Sequence, residues 1–232
     1  MKLGRIAGPA QIVALMVAIV TLALDATAQD ATPVNDRSAA PLVKKSNARP
    51  IDQQSAAAEP FDGASVEKMA GQCVTLETDA GVIEIEMLAE AAPESVRNFL
   101  NLAATGAFDE TLFSRVVKDF VVQGGNLSTG QKWTLERAKR SARKIPDEPS
   151  YVKHVRGIVS LARPDEPNSA TTHFFILVSE ATQLDGKFAA FGRVIRGMEV
   201  VDALNKAPTE GEKPLKPAKI VHASVAECAK KQ

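Results

Sequence analysis

Between Cys73 and Met87 the chain alternates apolar and polar residues with a period of two, a pattern that restricts this stretch to strands. Cys73-Val-Thr-Leu-Glu-Thr78 and Val82-Ile-Glu-Ile-Glu-Met87 flank Asp79-Ala80-Gly81. Two alternating runs around a glycine-ending turn predict a β-hairpin. Further short apolar runs follow at 112–117, 120–123, 157–162, 174–178, 188–194 and 220–225. Helical spacing occurs only twice. Val96, Phe99, Leu100 and Ala103 recur at i, i+3, i+4 and i+7 behind Pro93 and ahead of Gly106, and a second helix over Met198–Asn205 presents Val201 and Leu204. Many short strands with two helices predict a mainly β fold, a closed or nearly closed antiparallel barrel.

The first 70 residues read differently. Lys2 and Arg5 precede an apolar run of 13 residues, Ile12 to Leu24, and Ala26-Thr27-Ala28 supplies small residues for a peptidase. A basic segment, a short apolar segment and an A-x-A site predict a cleaved signal peptide over residues 1–28. As a membrane anchor the run is too short: at about 1.5 Å per residue it spans about 20 Å of a core about 30 Å thick. Residues 29–70 are dominated by Ala, Ser, Gln, Asp and Pro with isolated bulky residues, which predicts a disordered linker. The folded domain is then expected over residues 71–232.

Composition excludes several chemistries. Lys+Arg and Asp+Glu both number 28, so no excess of positive charge exists to coat a nucleic acid. Two cysteines cannot form a disulfide-dense scaffold or a four-thiolate zinc site. His154, His173 and His222 form no ligand-spaced pair, and the chain lacks a nucleophile elbow and a phosphate loop, so no metal or cofactor is expected. Gly124-Gly125 is too short to cradle a phosphate and reads as a tight bend. The stretch 132–144 holds six basic residues against one Glu, either a solvated surface or a docking patch for acidic partners.

One constellation carries a specific signal. Phe113-Ser-Arg-Val-Val-Lys-Asp-Phe-Val-Val-Gln-Gly-Gly-Asn126 resembles the strand pair of the cyclophilin-type peptidyl-prolyl cis-trans isomerases. Asn98-Phe99, Gly106 and Phe108 precede it in that family's order. Arg156-Gly-Ile-Val-Ser-Leu-Ala-Arg163, Asn168-Ser-Ala-Thr-Thr-His-Phe-Phe-Ile176, Leu184-Asp-Gly-Lys, Phe191-Gly-Arg-Val and Gly197-Met-Glu-Val-Val follow it. The resemblance covers about residues 72–228 and implies a closed eight-stranded antiparallel β-barrel capped by two α-helices.

The resemblance also implies a site. Arg115 matches the arginine that stabilises the twisted amide, and Gln123 the glutamine that helps to hold it and bonds substrate backbone. Phe120, Val121, Phe175 and Leu184 fall on the positions of the proline socket, and Ala162 and Arg163 on a segment that pairs with extended peptide. His173 stands where glutamine is usual and Phe188 where histidine is, and both are expected to touch substrate. Ser114 replaces a histidine, Gln183 a tryptophan common in eukaryotic members, and Lys118-Asp119 a Pro-Gly turn. Val121 is smaller than the usual methionine, which predicts a wider or rearranged pocket floor. In the resembled fold the first and last strands are antiparallel neighbours, so Cys73 and Cys228 are candidates for a disulfide, with two unpaired thiols as the alternative.

The expectation is an isomerase acting on X–Pro bonds of unfolded exported proteins, monomeric, and resident in a periplasm or, alternatively, a secretory lumen. A proline-peptide-binding module or holdase with little turnover is the other reading.

Overall fold

The structure, a computed structural model, describes residues 58–229; the expected signal peptide and most of the expected linker lie outside them. The predicted hairpin is present as β1 (Gln72–Thr78) and β2 (Gly81–Met87), paired antiparallel from Cys73 opposite Glu86 to Thr78 opposite Gly81. Thr78 closes the turn. Its Oγ1 donates to the Gly81 carbonyl at 2.6 Å and accepts from the Ala80 N–H at 3.1 Å. The alternation sends Val74, Leu76, Ile83 and Ile85 into the core.

The strands that follow are β3 (Arg115–Val117), β4 (Val121–Gly124), β5 (Ile158–Leu161), β6 (Phe174–Leu177) and β7 (Ala190–Arg196). A small hairpin, β8 (Thr209–Glu210) with β9 (Lys213–Pro214), precedes the last strand, β10 (Ile220–Glu227). Eight of these form one sheet in the order β10-β1-β2-β7-β5-β6-β4-β3, and every neighbouring pair is antiparallel. The sheet is the expected barrel, but not a strictly closed one. Its edges meet just ahead of β3, where Leu112 bridges Lys219, Phe113 N–H donates to Ala218 at 2.9 Å and Ile220 N–H to Thr111 at 2.8 Å. β3 itself does not pair with β10.

The core is aromatic at its centre. Phe99 packs against Phe108, Phe174 and Phe191 with ring centroids 4.8–5.2 Å apart, and Phe113 completes the cluster against Phe174. Phe99 comes from α2 (Pro93–Ala104), the second of four α-helices among the described residues; α1 (Val66–Ala70), α3 (Leu135–Ser141) and α4 (Met198–Lys206) are the others. Two helices were legible in the sequence and two were not. α1 is five residues long, less than two turns, and α3 buries no side chain, so neither leaves an apolar stripe to read. The N-cap of α2, Ala92, has no capping side chain. Glu148, distant in sequence, accepts from the backbone N–H groups of Glu94 and Ser95 at 2.8 and 2.7 Å, placing an anion on the free donors of the helix start.

The linker boundary needs correction. Residues 58–70 pack on the domain: Phe61 is buried, Met69 is fully buried, and the Phe61 N–H donates to Asn101 Oδ1 at 2.7 Å. Arg97 donates to the Phe61 and Ala64 carbonyls, while Glu59 pairs with Arg140 at 2.6 Å and Arg143 at 3.1 Å. Two apolar anchors among small and polar residues do not raise the local hydrophobicity, yet they suffice when a preformed surface receives them. Phe61→Ala should lower stability by about 3 kcal/mol, read from urea unfolding, whereas a linker residue would leave the midpoint unchanged.

β1 and β10 lie side by side, and Cys73 and Cys228 are joined in a disulfide with Cα atoms 4.9 Å apart. The Cys228 N–H donates to the Gly71 carbonyl at 3.0 Å, which holds the last turn of chain against the first strand. The bond closes a loop with a sequence separation of 155 residues. Replacing both cysteines by serine should cost about 2–4 kcal/mol in an unfolding titration. Intact mass after alkylation without reductant should show neither thiol modified.

Candidate active site

A hollow of about 160 Å³ opens on the face of the sheet opposite the main core. Strand alternation makes it. Along β6, Phe174 and Ile176 point into the core while Phe175 and Leu177 point outward; along β4, Val122 points in and Val121 outward. The register sets Arg115 opposite Gln123, and Gln123 opposite Phe175, a row across three strands. Phe120 and Phe188 come from loops, and Leu184 from the end of a short 3-10 helix (Thr182–Leu184), to wall the hollow, and Ala162 and Arg163 border it. The volume suits one ring-sized side chain; small-molecule pockets commonly run to about 300–1,000 Å³.

Arg115 is held at two points. Its Nη1 donates to Gln123 Oε1 at 3.1 Å and its Nε to Glu212 Oε2 at 2.7 Å. Nη2 has no hydrogen-bond partner among the described residues, and the side chain is 43% exposed, so a cationic donor remains available to a ligand. The Glu212 carboxylate does not draw the guanidinium out of the hollow, since Arg115 still lines it.

The turn that presents Arg115 and Phe120 is pinned from α4. Asn205, almost wholly buried, accepts from the Asp119 N–H at 2.9 Å and donates to the Val117 and Val121 carbonyls. Asp119 sits at φ 57°, a left-handed conformation that Asp tolerates better than most side chains. After β4, Gly125 turns at φ 85°, where a Cβ would collide with the Thr172 carbonyl; here only glycine fits. This is the bend expected of Gly124-Gly125.

The far wall is aromatic and cationic. Phe175 meets Phe188 edge-on at 6.0 Å, and the Arg163 guanidinium lies 5.2 Å over the Phe188 ring while its Nε pairs with Asp147 at 3.1 Å. The Ala162 N–H is committed to the His173 carbonyl at 2.9 Å, so among its backbone groups only the carbonyl stands open to an extended peptide. His173 does not line the hollow. It borders an adjoining polar groove with Ser169 and Thr171, and burial lowers its pKa below the ordinary 6.5.

Leu184 is held in place by a sealed polar staple. His154 Nδ1 lies 3.1 Å from Asp185 Oδ1 and Nε2 lies 3.0 Å from Ser160 Oγ, while the His154 N–H donates to Asp185 at 2.8 Å. The order Ser–His–Asp is that of a nucleophilic triad. Ser160 is 0% and His154 1% exposed, so no substrate reaches the hydroxyl, and the set is structural. Among the described residues no group of three or more His, Cys, Asp or Glu is placed to hold a metal ion.

The family model described as "Cyclophilin type peptidyl-prolyl cis-trans isomerase/CLD" matches residues 73–225. The chain belongs to the cyclophilin-type peptidyl-prolyl cis-trans isomerases. A peptidyl-prolyl cis-trans isomerase of Arabidopsis thaliana is 39% identical over 155 residues, covering 66% of this chain and 92% of that protein. One from Acinetobacter baylyi is 34% identical over 172 residues, covering 69% and 89%. Among solved structures, a Cryptosporidium parvum cyclophilin-type isomerase superposes with a TM-score of 0.60 at 29% identity, covering 68% of this chain and 99% of that one. The same cyclophilin has been solved in the presence of the dipeptide Ala-Pro.

Three contributors to this cyclophilin's site carry little signal in the sequence. Asn205 lay in a helix read only for its apolar face, and Glu212 in a polar segment assigned no element. Asp185 lies inside the Leu184-Asp-Gly-Lys block, where nothing local marks it. An asparagine spaced one turn after Val201 in an otherwise apolar stripe was the one available signal.

The staple makes a pH dependence. Burial lowers the pKa of His154 below 6.5, outweighing the opposing pull of Asp185. Asp185 is itself lowered to about 2, first by the His154 backbone N–H. Both folded values lie below the unfolded ones. The stability these groups contribute is therefore fully present above pH 6.5, declines below it as the unfolded chain takes up protons that the folded histidines refuse, and declines again between about pH 3.8 and 2 through Asp185. Thermal unfolding should show a falling midpoint from pH 7 to 5, and His154→Asn should flatten that slope while lowering the midpoint at pH 7.

Proposed function

We propose that this cyclophilin isomerises X–Pro bonds in unfolded exported proteins, with Arg115 as the catalytic residue and Gln123 as its partner. Rotation about a peptide bond faces a barrier of about 18–20 kcal/mol, while cis and trans X–Pro differ by only about 0.5–1 kcal/mol. The reaction makes and breaks no covalent bond. It requires only that the twisted imide bind better than either planar form. On twisting, the imide nitrogen regains a lone pair able to accept a hydrogen bond, and a fixed cationic donor beside it selects that state.

The observation that carries this reading is the guanidinium itself: clamped at Nε and Nη1, free at Nη2, and on the rim of an apolar hollow. The proline ring would occupy the hollow between Phe120, Val121, Phe175, Leu184 and Phe188, with the preceding residue toward the Ala162 carbonyl, Arg163 and His173. The Ala-Pro dipeptide present with the C. parvum cyclophilin supports ligands of this class. The basic residues, short apolar run and A-x-A site expected of a signal peptide at residues 1–28 support export to a periplasm, and the chain is proposed to act as a monomer. Slow proline steps last about 10–100 s at 25 °C, long enough to limit folding there.

In a protease-coupled assay on an X-Pro-Phe peptide, Arg115→Ala should reduce kcat/KM by about 10²–10³-fold. Peptide binding, followed by calorimetry, should persist. Activity unaffected by the substitution would remove Arg115 from the mechanism; binding without turnover in the unsubstituted protein would favour the holdase reading.

A further inference from the structure

The hairpin of β8 and β9 touches the site at one residue. Glu212 stands at its tip beside Gly211, and its carbonyl accepts the Val116 N–H of the otherwise unpaired edge of β3 at 2.8 Å. Its carboxylate accepts from Arg115 Nε at 2.7 Å. Backbone and side chain of one residue thus grip two consecutive residues of β3, one of them Arg115.

Resting on the isomerase reading, we propose that Glu212 is a positioning residue for the reaction: it fixes the plane of the Arg115 guanidinium so that Nη2 faces the bound imide. A guanidinium is planar, with its donors in a rigid fork. Gln123 alone, holding Nη1, leaves the guanidinium free to pivot about that single contact. A second anchor at Nε removes the pivot. An exposed ion pair ordinarily stabilises little, because two long side chains must be ordered to make it. Here the hydrogen bond from Val116 has already placed the glutamate, so the pair acts on direction more than on stability.

The alternative action of the same carboxylate is to hold the cation back, and the two actions move turnover in opposite directions. Glu212→Ala should lower kcat about two- to five-fold with KM little changed, a size set by exposed charge pairs. Glu212→Asp should recover part of the loss, and Glu212→Gln, which keeps an acceptor without the charge, should fall between Ala and the unsubstituted protein. The melting temperature should not move, and the Arg115 Nε–Hε signal in a ¹⁵N spectrum should shift upfield and exchange faster in Glu212→Ala. Unchanged or higher kcat in Glu212→Ala, with Arg115→Ala still inactive, overturns this proposal and leaves the isomerase reading intact. A kcat loss that follows a lowered melting temperature overturns it as well, since that is loss of the hairpin. Equal activity of Arg115→Ala and the unsubstituted protein overturns the isomerase reading and the proposal together.

Discussion

The pairing of β4 with β6 sends Phe174, Ile176 and Val122 to one side of the sheet and Phe175, Leu177 and Val121 to the other. Both sides are apolar, and only one is the barrel core. A strand with two buried faces cannot slip by one residue, because a slip would exchange the residues packed on Phe99 for those that line the hollow. Core packing therefore fixes the site. The aromatic cluster around Phe99 sets the register of β6, β6 sets β4, and β4 sets the position opposite Gln123 that Arg115 occupies.

The polar groups that finish the site come from elsewhere in the chain. Asn205 reaches across from α4 to a turn at 117–121, the His154–Asp185 staple holds the loop of Leu184, and the hairpin tip at Glu212 covers the edge of β3. None of these groups needs to touch a ligand. Each fixes a loop whose own sequence would not hold its shape, as at Asp119, which stays left-handed with its N–H donating to Asn205 and its carbonyl accepting from Ser179.

Much of this was legible in the sequence, for identifiable reasons. The hairpin at 72–87 and the helix at 93–104 declare themselves because each buries one regular face, and period is what such burial writes into a sequence. The residues of the hollow were legible only through resemblance: Phe175 and Val121 alternate with core residues, and nothing local separates a wall from a core. What stayed hidden was non-periodic. Phe61 and Met69 lie among small residues, α3 carries no apolar face, and Glu148 caps a helix from a distance of about fifty positions in sequence. His173 borders the polar groove that adjoins the hollow and shares Arg115, Gln123, Ala162 and Arg163 with it.

The bond between Cys73 and Cys228 turns everything from the first strand of the barrel to the last into a covalent ring. A single protease cut in any loop between them would open that ring without releasing a fragment, so both pieces would stay tethered and could find each other again at intramolecular concentration. Damage to one loop would be a repairable nick and not a loss of half the barrel.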